Sequence, residues 1–371
     1  MKNKDKEPLF HISKRDTLTP VQAWGIRLLA VLFALIVCAI VTSSVTKLNP
    51  IKVYGTMITG AFGSARKIWV TFQNLAVLLL VSLAVTPAFK MRFWNIGAEG
   101  QVLMGAFGCA ACMICLADKV PNGLLIVIML AVSVIAGAVW AVIPAIFKAK
   151  WNTNDTLFTL MMNYIATQIV ACFCIIWENP KGSGAIGVIN SATEIGWVRI
   201  GNKYLLPLIV AAVMTVFIYV YMNYTKHGYE IAVVGESERT ARYVGIKVER
   251  VMIRTLLLSG AICGITGFIL VGGINQTLTT TLAAGRGFTA VMVSWMSRFN
   301  PFTMILTSFL IVFLDRGAGE ISTAFGLNTS YSDILTGIII FFLIGCEFFI
   351  RYKLSFRHTA SEAAIEKEAK K

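Results

Sequence analysis

Gly123-Leu124-Leu125-Ile126-Val127-Ile128-Met129-Leu130-Ala131-Val132-Ser133-Val134-Ile135-Ala136-Gly137-Ala138-Val139-Trp140-Ala141-Val142-Ile143 runs for 21 residues without a charged side chain. About 20 consecutive apolar residues in a helix cross the hydrocarbon core of a bilayer. Strands of a membrane barrel alternate apolar and polar positions, and this run does not. Extended to Lys148, the stretch reads as a transmembrane helix. Nine segments of similar character flank it, near 22–46, 67–88, 98–118, 155–177, 203–224, 252–274, 285–297, 300–316 and 333–351. Composition agrees: 57% of the 371 residues are hydrophobic and 14% are charged, against about 25% charged in a soluble domain. The expectation is an all-α fold, a polytopic membrane protein of ten transmembrane or partly spanning helices. The segment at 285–297 is short and opens with Gly285-Arg286-Gly287, which suits a half-helix or re-entrant piece.

Ten segments put both termini on one side. With the N-terminus inside, 23 of the 33 lysines and arginines fall in cytoplasmic tails and loops, the sense of the positive-inside rule. Residues 1–21 and 352–371 are therefore expected as cytoplasmic tails of one transmembrane domain over 22–351. The stretch from Ser361 has the composition of a frayed helix. The net charge of +14 follows from basic loops facing anionic lipid, and no soluble basic domain exists to engage nucleic acid. The first 20 residues are polar, and the first apolar run is long with no cleavage site after it, so it should stay as a transmembrane helix.

All eight cysteines lie in apolar runs. Cys109, Cys112 and Cys115 share a helical spacing, but no histidine or carboxylate stands near them in sequence, so they read as apolar packing rather than a metal site. His11, His227 and His358 lie in tails or loops. Neither paired carboxylates nor a nucleophile–base set is visible, which argues against a membrane-embedded enzyme.

Polar groups in or beside apolar segments are costly and mark function or helix contacts. The densest set is Phe93-Trp94-Asn95-Ile96-Gly97-Ala98-Glu99-Gly100-Gln101. Asn95, Glu99 and Gln101 can hydrogen-bond a substrate; Glu99 can instead cap the start of its own helix, or do both at a half-helix end. Asn163 is either glue between helices or a pathway group. Gln73 and Asn74 sit in the second segment beside Phe72, whose ring can stack on a planar ligand or simply pack in the core. Asp315 and Arg316 end the ninth segment and suit an interfacial ion pair. Ser259, Gly260, Gly264 and Gly267 follow the small-residue spacing of close helix contacts. The Gly-rich outer loop at 178–202 is long enough to cover the mouth of a pathway.

The longest cytoplasmic loop holds Gly228 to Ile246. Gly235 can end one element, Glu236 or Ser237 can cap a short helix, and Gly245 can end it with Arg242 in the last turn. Glu238, Arg239 and Tyr243 would lie on it. Such a helix can dock on a cytoplasmic partner; an ordinary basic loop is the alternative.

Four blocks resemble the permease subunits of bacterial ABC importers in the ribose and branched-chain amino acid permease superfamily, nearest its nucleoside branch. They are Asn95–Gln101; Asn154-Asp155-Thr156-Leu157 through Met162-Asn163-Tyr164-Ile165-Ala166; Glu238–Ile246 with Ser259-Gly260-Ala261, Gly264 and Gly267; and Gly285–Phe288 with Asn300-Pro301. The resemblance spans about residues 30 to 350. Three departures stand out: Trp94 where Phe is common, Asp155 for the usual Glu, and Val293-Ser294-Trp295-Met296-Ser297 for an apolar run.

The resemblance implies an ATP-driven importer subunit in a bacterial cytoplasmic membrane, moving nucleosides, and purine nucleosides in particular, by alternating access. Simple sugars such as ribose, or branched-chain amino acids, are the alternatives within the class, and an ion-coupled secondary transporter outside it. Asn95, Glu99, Gln101, Asn163, Phe72, Gln73 and Asn74 would line the pathway. Gly235, Glu236, Glu238, Arg239, Arg242, Tyr243 and Gly245 would couple to the ATPase. The implied partners are a second, homologous permease, a cytoplasmic ABC ATPase, an extracytoplasmic lipid-anchored binding protein and membrane lipid. No cofactor is expected in this chain, since ATP and Mg would belong to the partner; the phosphate-binding pattern G-x-x-x-x-G-K-S/T is absent from the sequence.

Overall fold

The computed structural model describes residues 10–14, 19–46, 49–117, 119–199, 201–202 and 204–356. In chain order the elements are β1 (Phe10–Lys14), α1 (Pro20–Thr46), α2 (Pro50–Phe62), α3 (Ala65–Lys90), α4 (Ala98–Leu116), α5 (Asn122–Trp151) and α6 (Asp155–Ile176). Then follow α7 (Leu205–Tyr224), α8 (Lys226–Glu236), α9 (Glu238–Tyr243), α10 (Val248–Phe268), a π-turn (Ile269–Asn275), α11 (Arg286–Met296), α12 (Pro301–Ala324), α13 (Thr329–Arg351) and β2 (Tyr352–Phe356). Among the described residues, eight helices are long and apolar enough to cross a membrane: α1, α3, α4, α5, α6, α7, α10 with its π-turn, and α12. The shorter apolar stretch Ile334–Ile350 lies in α13. The protein is an all-α polytopic membrane protein. Every hydrophobic segment of the sequence is a helix, and α11, at 11 residues, is too short to span.

The chain divides into two compact units, Met1–Gly63 with Leu314–Lys371, and Ser64–Phe313. In the larger unit α3 and α10 are central, each with 72% of its apolar window buried, whereas α5 has 22%. Glycines set how close these helices come. A Cβ on Gly264 would collide with the Ser133 backbone of α5, and one on Gly105 of α4 would stand 2.6 Å from the Gly264 Cα. Gly260 meets Gly137 in the same way, and Gly267 meets Ala106. The small-residue pattern at 259–267 is thus a packing surface on two sides.

The π-turn at the end of α10 has no marker in the hydropathy pattern. Wider winding shifts backbone carbonyls out of register, and Gly272 O accepts the Val198 amide at 2.9 Å from the loop between α6 and α7. That loop is stitched down elsewhere too. Asn190 donates to Met113 O and Ile195 O, Trp197 Nε1 donates to Ile189 O, and Gly196 N donates to Asn122 Oδ1.

In the smaller unit α1 and α13 are joined by a buried pair, Arg27 Nη2 to Glu347 Oε1 at 2.5 Å, with Trp24 stacked on the guanidinium. Helix α2 escapes the hydropathy reading, being 13 residues long and carrying Lys52, Tyr54, Thr56 and Thr59. Asn49 caps it by accepting the Ile51 amide, ahead of Pro50 in the first turn. Helix α12 also runs to Ala324, beyond the expected end at 316, so Asp315 and Arg316 lie within it. Its extension is built from small residues: Gly317 packs on Met57 and Gly60 packs on Glu320. The tail segments β1 and β2, for which the sequence reading names no element, pair antiparallel with Phe10 opposite Phe356. The stretch from Ser361 lies outside the described residues.

Candidate functional site

Helix α4 begins at Gly97, which has no side chain to cap it, so its orphan amides need partners from elsewhere. Helix α6 supplies one of these, for Gly100, and holds two amides of the preceding turn, Trp94 and Ile96, along one stripe at four-residue spacing. Asp155 Oδ2 accepts the Trp94 amide at 2.6 Å, Thr159 Oγ1 accepts the Ile96 amide at 3.2 Å, and Asn163 Oδ1 accepts the Gly100 amide at 2.9 Å. Asn163 also donates Nδ2 to Ile96 O at 3.0 Å. A Cβ on Gly100 would stand 2.9 Å from Asn163 Oδ1, so the glycine permits the approach. Asn154 caps α6 through the Leu157 amide, and Lys148 Nζ lies 3.4 Å from Asp155 Oδ1.

Asn95 is fully buried. Its Oδ1 accepts from Gly97 N at 3.1 Å and Gln101 Nε2 at 3.0 Å, and its Nδ2 donates to Ser259 Oγ at 3.1 Å. Asn95, Gln101 and Ser259 therefore tie the turn between α3 and α4 to α10. Such a closed network rigidifies a core.

Glu99 does not cap its own helix. Its Oε1 accepts the Gly285 amide at 2.8 Å and its Oε2 accepts the Gly287 amide at 2.7 Å. The carboxylate thus sits at the N-terminus of the short helix α11, where amide groups and helix dipole favour an anion. Gly285 turns with φ +70° to enter α11, and a Cβ on Gly287 would stand 2.5 Å from Glu99 N. Arg286, between these glycines, donates Nη2 to Asn74 Oδ1 at 3.2 Å. Asn74, Glu99 and Arg286 thus join α3, α4 and α11. Phe72 is 37% exposed, Phe288 is 47% exposed, and Gln73 is buried.

The structure therefore sorts the expected pathway residues into two groups. Asn95, Gln101 and Asn163 are buried and hydrogen-bonded within the helix contacts, while Glu99 and Asn74 surround the α11 entry. Thr159, Ser259 and Arg286 belong to these groups too; the sequence reading passes over Thr159, takes Ser259 only as a small packing residue and gives Arg286 no role. Thr159 was legible as the middle of an i, i+4, i+8 polar stripe, and Arg286 as a charge opening an apolar segment.

The three departures meet at one place. The Trp94 ring stacks on Trp295 with centroids 5.6 Å apart and 19° between planes, and its backbone is the group held by Asp155. Phe89 contacts both rings edge-on, at 5.8 Å and 6.3 Å, and Phe299 lies 5.2 Å from Trp295.

The loop at 228–246 is two helices, not one. Gly235 stands one residue before the end of α8, buried against the Lys90 carbonyl, where any Cβ would collide. Ser237, rather than Glu236, caps α9 by accepting the Thr240 amide at 3.2 Å. Arg242 lies in the last turn of α9 and pairs with Glu249 at 2.9 Å, and Gly245 follows with φ +84°. Glu238, Arg239 and Tyr243 are exposed, Tyr243 by 92%. On α8, burial pushes the Glu230 carboxyl up, but Arg254 at 2.8 Å and His227 together hold it below its ordinary value.

The sequence pattern of the family described as branched-chain amino acid transport system / permease component matches residues 70–344, which include every group just described. The chain belongs to this family. Among relatives of this permease are a glucose ABC transporter permease of Haloferax volcanii, 28% identical over 93% of each chain, and a nucleoside ABC transporter permease of Lactococcus lactis, 28% identical over 92% of this chain and 97% of the relative. A guanosine ABC transporter permease of Bacillus subtilis is 26% identical over 78% of this chain and 84% of its own.

Proposed function

We propose that this chain is a membrane-spanning subunit of an ATP-driven ABC importer and carries nucleosides, purine nucleosides in particular, into the cell by alternating access. The observation that carries the reading is the half-helix α11, whose N-terminus meets Glu99 while Arg286 reaches Asn74. A helix end exposed within a bundle of spans is where transporters hold polar cargo. Ribose hydroxyls suit this set, because each Glu99 oxygen keeps a lone pair beyond the one used by α11 and Asn74 keeps its amide donors. The exposed Phe72 ring offers a base a stacking surface, a contact of about 1–3 kcal/mol. The nucleoside and guanosine relatives support this cargo.

Energy enters through α9. A cytoplasmic ATPase, which holds ATP and Mg, docks on the exposed face of Glu238, Arg239 and Tyr243, and its closure drives the spans through α8 and α10. ATP shifts the transporter only by binding one state better than the other. A second, homologous permease completes the pathway, and a lipid-anchored binding protein delivers cargo at the outer face. Both termini are cytoplasmic, and the membrane is a bacterial cytoplasmic membrane.

A sugar is the second reading, favoured by the glucose relative with its 93% coverage. Hydroxyl recognition serves either cargo; a planar base gains more from an aromatic face than a sugar does. The test is uptake of labelled guanosine, adenosine and uridine by cells with and without the chain, with glucose, ribose and leucine as competitors. Uptake that needs the chain and an intact ATPase, and that only nucleosides block, is the expected result. Block by glucose or ribose moves the assignment to a sugar, and block by leucine to an amino acid.

A further inference from the structure

A cleft of about 570 Å³ opens where α8, the C-terminal side of α9 and the start of α10 meet. Lys226, Lys247, Arg250 and Arg254 line it, together with Tyr229 and the Val244-Gly245-Ile246 turn. Its one acid is Glu230, already engaged by Arg254 at 2.8 Å and His227 at 3.7 Å. Lys226, Lys247 and Arg250 are exposed and have no acidic partner among the described residues. At the floor, the buried Nε–H of Arg254 has no hydrogen-bond partner. Four cations facing one neutralised carboxylate repel each other, and a buried unpaired donor is costly. Both effects are relieved by an anion that accepts several hydrogen bonds.

Place decides which anion. Span α7 ends at Tyr224 and span α10 begins at Val248, with Arg250, Val251 and Arg254 in its first two turns, so the cleft lies at the ends of two membrane-crossing helices. That is the level of lipid headgroups, where basic clusters attract anionic lipids. We propose that the cleft binds the phosphate of an anionic phospholipid, with Arg250 and Lys247 on its oxygens, Arg254 beneath, and the acyl chains beside α7 and α10. Because the Val244–Ile246 turn forms one wall, a bound headgroup braces α9 against α10. This holds whichever cargo is carried.

The test uses the purified full chain in nanodiscs of phosphatidylcholine with about 20 mol% phosphatidylglycerol, followed by native mass spectrometry of the lipids retained. The wild type is expected to retain one phosphatidylglycerol in preference to phosphatidylcholine. Lys247→Gln with Arg250→Gln should weaken that preference about 30-fold, while Lys247→Arg with Arg250→Lys, which keeps both charges, should preserve it. On the wild type alone, the preference should fall between about 50 mM and about 500 mM salt, as screening requires. Equal retention by wild type and the glutamine pair, or no salt dependence, overturns the proposal. Displacement of the lipid by millimolar inorganic phosphate would also overturn it, because a soluble phosphate would then be the occupant.

Discussion

At the scale of single residues, Glu99 is the group whose role depends most on its partner. Each carboxylate oxygen holds one amide of the α11 entry. Glu99→Gln keeps the shape but offers one acceptor oxygen in place of two, leaving an amide at Gly285 or Gly287 unmade. The expected cost is about 1–3 kcal/mol, read as a lower unfolding temperature of the purified protein, with loss of uptake at unchanged membrane abundance. Undiminished stability would show that α11 does not depend on this clamp. Glu230 gives a pH test. Its native pKa is held down by Arg254 and His227 against the opposing effect of burial, so the pair stabilises above the ordinary glutamate range and is lost as pH falls through the lowered native value. The melting temperature of wild type should exceed that of Glu230→Gln at neutral pH, and the gap should close as pH falls through the lowered native value. A gap that widens in acid would reverse the sign. The sequence marks Asn95, Glu99, Gln101 and Asn163 because polar groups stand out in apolar runs. It is silent on the partners that lie on helices 60 to 190 positions away, as in Gly100 with Asn163, Ser259 with Asn95 and Gly285 with Glu99.

At the scale of elements, α10 stands between α4 and α5 on its glycines. Gly264→Leu must push the Ser133 backbone away, and overpacking of this kind costs about 1–3 kcal/mol. The expected result is a protein that melts early in detergent, while Leu257→Ala on the exposed face of the same helix leaves the melting temperature nearly unchanged. For α9 the cap matters more than length: Ser237→Ala should cost about 1 kcal/mol of local stability, seen as faster amide exchange over 238–243 with exchange in α10 unaltered. Capping chemistry was readable because its donor and acceptor lie three residues apart. Helix α2 and the π-turn were not, since neither length nor hydropathy marks them: one is short and half polar, and the other depends on a carbonyl taken by Val198.

At the scale of the whole molecule, β1 pairs with β2 antiparallel, and 12 of the 33 lysines and arginines lie in residues 1–27 and 351–371. Epitope tags at the two ends should therefore react with antibody only after cells are permeabilised; a tag that reacts on intact cells would invert the orientation. The sequence by itself determined the ten apolar segments and the shortness of α11, and narrowed the α9 cap to Glu236 or Ser237, since all three rest on spacing along one chain: helix rise against bilayer thickness, and an acceptor a few positions from an amide. Only the tertiary structure decided that Glu99 serves α11 rather than α4, that Asp155, Thr159 and Asn163 hold one turn together, and that Trp94 stacks on Trp295. The physical reason is the same for each. In an apolar medium every polar group must find a partner, and which partner is decided by helices that pack against one another rather than by neighbours in sequence.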